Sequence, residues 1–291
     1  MIELDDRILF AVPKKGRLKD PTLSYLTKIG LSFHKNERLD IALCNNTPIA
    51  LIFLPATDIP LYVANGKVAY GITGEDIISE HKLENRIEIV TKLGFGKCKV
   101  ALAGPKNIDY SSFNYENVKI ATSFPNITKK FLEKKGIKNY TINEISGSVE
   151  ISPALSVSDL VVDIVETGST LKEAGLIIIE NIMNTEAIFI SKKNLDNNEN
   201  EWKEKLKERF NSVITAEKYL IIDYNIHKNN LEKAEKITPG FNSPTILPLV
   251  DKEWFAIRAV IKSEEKYKII EELKKIGAQA IIISKMDYFV Q

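Results

Sequence analysis

Short apolar runs recur along this chain, separated by stretches long enough for an amphipathic helix, a rhythm that belongs to α/β folds. Ile49–Leu54 is the clearest run, apolar without interruption and suited to a strand buried on both faces of a mainly parallel sheet. Residues 8–12, 68–72, 98–103 and 118–121 and Leu160–Val165 read as further strands of the series. Residues 18–29 read as a helix closed by Gly30, and the pair Glu75 and Asp76 opens another just after Gly74.

Two segments read as crossings between lobes. One is 93–99, where Gly94 and Gly96 loosen the backbone. The other is 180–185, after a strand at 176–179. Two crossings in one α/β chain imply a first lobe (1–97 and 183–217) interrupted by a second (98–182), with a ligand cleft between them. Residues 194–200 are polar and read as a surface loop, followed by a helix at 201–217. From Tyr219 the pattern changes to strand 219–223, helix 229–236, strands 245–249 and 253–261, helix 264–276 ended by Gly277, and strand 280–284. That order, βαββαβ, is a ferredoxin-like unit and makes 218–291 a third domain.

Charge and composition exclude several classes. Lys+Arg 40 against Asp+Glu 39 leaves no basic excess for general nucleic-acid binding, so any anion must be met by a local site. The amino terminus is acidic and has no leader-like apolar core, and no run approaches the ~20 residues of a membrane helix. Cys44 and Cys98 lack metal-type spacing and read as unpaired thiols, which makes the cytoplasm the expected compartment. His34, His81 and His227 lie far apart and read as surface residues. Neither a G-x-x-x-x-G-K-[ST] loop nor a G-x-G-x-x-G after a strand is present, which removes the common nucleotide hydrolases and Rossmann dehydrogenases.

The sharpest local signal runs from Val161 to Leu171: an apolar strand, the carboxylates Asp163 and Glu166, the loop Thr167, Gly168, Ser169 and Thr170, then a helix ending near Gly175. Gly168 lets backbone N–H groups approach an anion, and the three hydroxyls add donors. The helix start behind them presents unpaired N–H groups. Asp163 and Glu166 suit the 2′- and 3′-hydroxyls of a ribose, or a magnesium ion held through water. The competing reading is a plain helix N-cap, which Thr-Gly-Ser-Thr alone would satisfy. Lys14, Lys15 and Arg17 follow the first strand, at the sheet edge where open α/β proteins bind ligands. They read as a phosphate clamp or as solvated turn cations. Glu75 and Asp76 read as nucleotide contacts or a helix-start acidic pair, and Glu150 as a lobe-facing polar residue or a helix-start acid.

The run 161–171 resembles the phosphoribosyl pyrophosphate motif of phosphoribosyltransferases, in the form found in ATP phosphoribosyltransferases. Residues 12–18, 58–60, 71–76, 121–125, 147–150 and 244–249 are similar to family segments and fall in the family's order. The first of these carries one residue more than the commonest form, which leaves Lys14 and Lys15 as alternatives. Ser156, Val157, Ser158 and Asp159 stand where many relatives have Gly, while the phosphate loop itself is intact.

The resemblance implies two lobes similar to those of periplasmic binding proteins, and the tail resembles the family's long form with a regulatory domain. It further implies Mg2+ as cofactor, ATP and phosphoribosyl pyrophosphate as substrates, and no nucleic-acid or membrane partner. Free histidine is the implied inhibitor, acting through the tail with Thr245 as part of its pocket, and the implied assembly is dimers building hexamers. Asp163, Arg17 and Glu150 are then the catalytic set and Asp163 the metal contact. Asp163, Glu166, Thr167, Gly168, Ser169 and Thr170 bind phosphoribosyl pyrophosphate, and Lys14, Arg17, Glu75 and Asp76 bind ATP. A non-catalytic two-lobed sensor and a transferase for a free base are the rival classes.

Overall fold

The computed structural model describes residue 4 and residues 6–34 and 39–290. Residues 1–3 and 5 of the amino-terminal stretch read above, and residue 291 of the expected third domain, lie outside the described residues. In chain order the first elements are β1 (Ile8–Pro13), α1 (Lys19–Lys28), β2 (Ile41–Leu43), β3 (Ile49–Leu54), α2 (Ile59–Ala64), β4 (Tyr70–Gly74), α3 (Glu75–His81) and β5 (Ile87–Lys92). Then come β6 (Cys98–Pro105), β7 (Val118–Thr122), α4 (Pro125–Lys134), β8 (Tyr140–Glu144), β9 (Leu160–Val165), α5 (Ser169–Glu173) and β10 (Leu176–Thr185). The remainder are β11 (Ala187–Lys192), α6 (Asn197–Lys218), β12 (Tyr219–His227), α7 (Leu231–Ile237), β13 (Thr245–Pro248), β14 (Trp254–Lys262), α8 (Lys266–Lys275) and β15 (Gln279–Lys285).

Two compact units divide between Lys205 and Leu206, inside α6. The first unit holds two sheets, in the strand orders β2-β3-β1-β4-β11-β5 and β10-β6-β9-β7-β8. This is the expected two-lobed α/β plan. The sheets are mixed rather than mainly parallel: β1 runs parallel to β3 and β4, and β7 to β8 and β9, while β2, β5, β6, β10 and β11 pair antiparallel. The returning strands β10 and β11 run against the outgoing β6 and β5, while β2 pairs antiparallel with β3 within the first lobe and β6 with β9 within the second.

The second crossing is displaced from its expected place. Residues 180–185 are not a linker but the far half of β10, which pairs with β6 from Leu176↔Pro105 to Thr185↔Cys98. Register shifts between Ile178 and Glu180 and between Asn181 and Met183 break the period-2 pattern that marks a strand in sequence. The polar stretch at 194–200 is also partly helical, because α6 already begins at Asn197.

The cores follow from side-chain alternation along the strands. One face of the first sheet packs Ala11, Ile188 and Ile190 against Ile59 and Val63 of α2. The other carries the aromatic group Phe10, Tyr70 and Phe189, with ring centroids 5.4–5.7 Å apart in edge-on or tilted pairs. The second sheet is buried on both sides, by a cluster around Val100, Ile120 and Leu132 and by one around Ala101, Val161 and Leu171. Cys44 and Cys98 are both buried and free.

The second unit contains a sheet in the order β13-β14-β12-β15, antiparallel throughout, with α7 and α8 supplying its apolar cover. Order and connectivity are those of a ferredoxin-like fold. Tyr224 is buried beneath α7 and its hydroxyl meets Thr238 Oγ1 at 2.6 Å.

The aromatic group makes a stability prediction. Phe189→Ala empties the space between Phe10 and Tyr70 and is expected to cost about 3–5 kcal/mol. Urea denaturation should show the corresponding fall in midpoint, and an unchanged midpoint would mean that the group is not a stabilising core.

Candidate active site

The site is built at the ends of strands. β9 is the middle strand of its sheet, and its carboxyl end delivers the loop 166–168 straight into α5. Gly168 stands at the N-cap of α5 with φ +80°, a left-handed conformation that favours glycine. The Thr167 and Ser169 hydroxyls lie 3.1 Å apart, facing each other across the loop. Because α5 has only five residues, what it offers an anion is unpaired N–H groups rather than a long macrodipole.

Asp163 sits two residues before the strand end, half-buried, and its Oδ1 accepts a 2.7 Å hydrogen bond from Ile164 N–H. Burial pushes its carboxyl above the usual range, the Ile164 bond works against that, and the charge of nearby Glu150 adds to the rise. Glu150 lies in a single 3-10 turn, Val149–Ile151, placed by Ser148 at φ 50°. The chain therefore holds two carboxylates near one another, and among the described residues no cation figures in the environment of Asp163. A bound divalent ion or the donor hydroxyls of a ribose would relieve that cost. Among the described residues there is no group of three or more His, Cys, Asp or Glu placed to hold a metal. The donor set fits an ion such as Mg2+ that keeps its waters and takes its other oxygens from a substrate phosphate.

The first-strand loop forms the facing edge. Lys14 is exposed and pairs with Asp40 at 2.6 Å, while Lys15 is exposed. Arg17 reaches away from solvent: its Nη1 donates to the Gly96 carbonyl and its Nη2 stands 4.0 Å from Asp76 Oδ1. Gly96 has φ +61°, and a Cβ there would fall 2.4 Å from Leu18 Cδ2 and 3.3 Å from Arg17 Nη1. Only glycine lets the first crossing come this close to the loop.

Glu75 and Asp76, adjacent in sequence, part company in the structure. Glu75 is partly exposed and accepts 2.8 Å from Lys92, whose pKa is raised chiefly by that bond. Asp76 is 1% exposed and receives the Thr185 hydroxyl at 2.6 Å, while its own backbone N–H donates to the same oxygen at 3.0 Å. It faces the protein interior rather than the cleft. Physically this follows from the first turn of α3, which carries Glu75 and Asp76 on different sides.

Residues outside the sequence-derived set complete the picture. Cys98, Lys97, Lys99, Thr185 and Glu186 share a 290 Å³ cavity with Glu75 and Glu166, so the two crossings and the start of the loop after β9 border one space. Burial raises the Cys98 thiol to about 11, against the lowering influence of Arg17. It is a neutral thiol at neutral pH. Glu80, 8% exposed near the far end of α3, accepts from Asn126 and Ile127 N–H at 2.9 and 3.0 Å and so caps α4 of the other lobe. No local signal in the sequence marks Thr185 or Glu80, since a threonine ending a strand and an acid on a helix are ordinary. Only the fold brings them to their partners.

Comparison with known proteins is consistent across the chain. The family model for ATP phosphoribosyltransferase matches residues 55–214, and that for the HisG C-terminal domain matches 216–288. ATP phosphoribosyltransferase of Kluyveromyces lactis is 40% identical over 96% of this chain and 95% of its own length. That of Saccharomyces cerevisiae is 38% identical over the same shares. A chain of the ATP phosphoribosyl transferase (HisG:HisZ) complex from Thermotoga maritima is 29% identical, with a TM-score of 0.61, over 70% of this chain and 98% of that one. With the glycine-and-hydroxyl loop at the end of β9, the two lobes and the ferredoxin-like tail all in place, the chain belongs to the long form of the ATP phosphoribosyltransferase family, the pentosyltransferases that open histidine biosynthesis.

Proposed function

We propose that the cleft between the two sheets of the first unit condenses ATP with phosphoribosyl pyrophosphate to N1-(5-phosphoribosyl)-ATP and pyrophosphate, with the residue roles that follow. The observation that carries this is the loop 166–170 at the end of the central strand, with Asp163 half-buried and uncompensated beside it. Thr167, Gly168, Ser169 and Thr170 hold the 5-phosphate through hydroxyl and backbone donors. Asp163 and Glu166 take the ribose hydroxyls, and Glu150 reinforces the negative field as positive charge grows on the sugar. Lys14 and Arg17 meet polyphosphate, and Glu75 meets the adenosine part of ATP. Asp76 acts from behind, by holding Arg17, rather than by touching ATP.

The attacking atom, N1 of adenine, has a free lone pair at neutral pH, so no general base is needed. What the protein supplies is alignment of two polyanions, exclusion of water and stabilisation of the leaving pyrophosphate. Asp163 would be the residue to hold Mg2+, whose charge would help to neutralise the departing pyrophosphate. Residues 1–97 and 186–205 act as one lobe and 98–185 as the other, while the unit from Leu206 onward carries regulation. Free histidine binds that last domain and lowers activity by favouring one of two global states. The enzyme works in the cytoplasm as a homo-oligomer of dimers assembled to hexamers. These statements about regulation, compartment and assembly rest on the family resemblance.

Three outcomes are expected in a pyrophosphate-release assay with ATP and phosphoribosyl pyrophosphate. Gly168→Val strains a left-handed position and removes close N–H approach; each lost charge-assisted bond is worth about 1.5–3 kcal/mol. Affinity for phosphoribosyl pyrophosphate should drop at least about tenfold, and unchanged affinity in a folded variant would sink the loop assignment.

Asp163→Asn separates function from stability. A carboxyl whose pKa is raised on folding binds its proton more tightly in the native state, so it favours folding at low pH. That contribution is lost as pH rises through the folded pKa, and the ionised group is a net cost at neutral pH. Removing the charge should therefore leave thermal stability at pH 7 equal or higher while turnover collapses. Loss of stability with turnover within about twofold of wild type would return Asp163 to a structural role.

Histidine titrated against the full chain should lower the rate. Thr245 is exposed on the edge strand β13, and Thr245→Trp should relieve inhibition without changing the uninhibited rate. No inhibition of the parent protein would remove the regulatory claim, and unrelieved inhibition would move the pocket off β13.

A further inference from the structure

Arg17 is held by two groups at once, closely by the Gly96 carbonyl and loosely by Asp76. Its Nη1 donates to the carbonyl of Gly96 on the first crossing, while its Nη2 is drawn toward Asp76 Oδ1 across 4.0 Å, too far for a hydrogen bond. Its side chain keeps 27% exposure, and only Nη1 of its five-donor fork is committed to the Gly96 carbonyl. The carboxylate beside it is in the opposite situation. Asp76 is 1% exposed, and a buried carboxylate needs either a countercharge or hydrogen bonds. The atom nearest Arg17, Oδ1, already receives the Thr185 hydroxyl at 2.6 Å. Thr185 Oγ1 in turn accepts from Asp76 N–H at 3.0 Å, so the two residues form a reciprocal clasp between the start of α3 and the end of β10. Thr185 is itself 3% exposed and fixed by its pairing with Cys98.

We infer that Thr185 is a positioning residue for the transfer reaction: by satisfying the Asp76 carboxylate it keeps Arg17 from collapsing onto it and leaves the guanidinium free for polyphosphate. The inference rests on the reading of Arg17 as a phosphate clamp. Without the hydroxyl, Asp76 Oδ1 loses its donor, and the nearest replacement is Arg17 itself. Closing the gap would make a buried ion pair, which is stronger than the present arrangement and withdraws the clamp from the cleft. The same clasp ties α3, which opens with Glu75, to the strand that leads into the second crossing.

The test uses the full-length enzyme with Thr185→Val, Thr185→Ser, Arg17→Lys and the double variant of Thr185→Val with Arg17→Lys. Thr185→Val should raise KM for ATP about tenfold, the factor carried by one charge-assisted hydrogen bond, with KM for phosphoribosyl pyrophosphate within about twofold. Thr185→Ser restores the hydroxyl and should restore KM. The double variant should be no worse than Arg17→Lys alone, because both changes remove the same interaction. Additive effects, failure of serine to rescue a folded protein, or equal losses for both substrates would overturn the inference and leave Thr185 as a structural bond. If Arg17→Lys has no effect while Thr185→Val does, the clamp reading of Arg17 falls and takes the inference with it. An inert Thr185→Val beside a damaging Arg17→Lys overturns the inference alone. Should the valine variant fail to fold, Thr185→Ala removes the same hydroxyl with less bulk and is read by the same criteria.

Discussion

The pairing of Cys98 with Thr185 brings the two crossings side by side, and most of the site depends on it. One is the first residue of β6 and the other the last of β10, so the outgoing and returning chain are hydrogen-bonded neighbours at the border of the lobes. From there, Gly96 on the outgoing side receives Arg17, and Thr185 on the returning side receives Asp76. Lobe insertion would otherwise leave two loose linkers. Here each linker is anchored by a side chain from the first lobe, and those side chains belong to the segments that carry the proposed ATP contacts.

Helix α3 extends the same logic. Its first turn is clasped to Thr185 through Asp76, and near its other end Glu80 caps α4 in the second lobe. A short helix of the first lobe is thus bonded at both ends to elements that belong with the second sheet. Charge explains the choice of residues. The N-terminus of α4 presents unpaired N–H groups that favour a carboxylate, and its own N-cap Phe124 has no acceptor to offer.

The two carboxylates of interest sit in contrasting environments. Asp76 is nearly inaccessible, with Oδ1 receiving a hydroxyl and a guanidinium 4.0 Å away. Asp163 is half-buried with one backbone donor and a second carboxylate nearby, and its pKa rises accordingly. A group that costs stability in the free protein and would be relieved by donors or cations from a substrate is a feature of binding sites rather than of cores. Cys98, buried near Arg17, Asp76 and Glu166, has its thiol pushed up instead.

Local pattern carried a large share of this protein. The apolar runs that became β3 and β9 were legible to the residue, as was the order of the ferredoxin-like unit, because period, turn glycines and strand composition are properties of adjacent residues. The loop from Thr167 to Thr170 was legible for the same reason, since its glycine and hydroxyls are contiguous. Tertiary structure alone decided the mixed strand directions, the continuation of β10 to Thr185 through two irregularities, and the inward turn of Asp76. It also joined Arg17 to Gly96, Asp76 to Thr185, and Glu80 to α4, pairs separated by 79, 109 and 46 positions. Contacts at such distances leave no period in the sequence, because they exist only once the sheets have fixed where each strand ends.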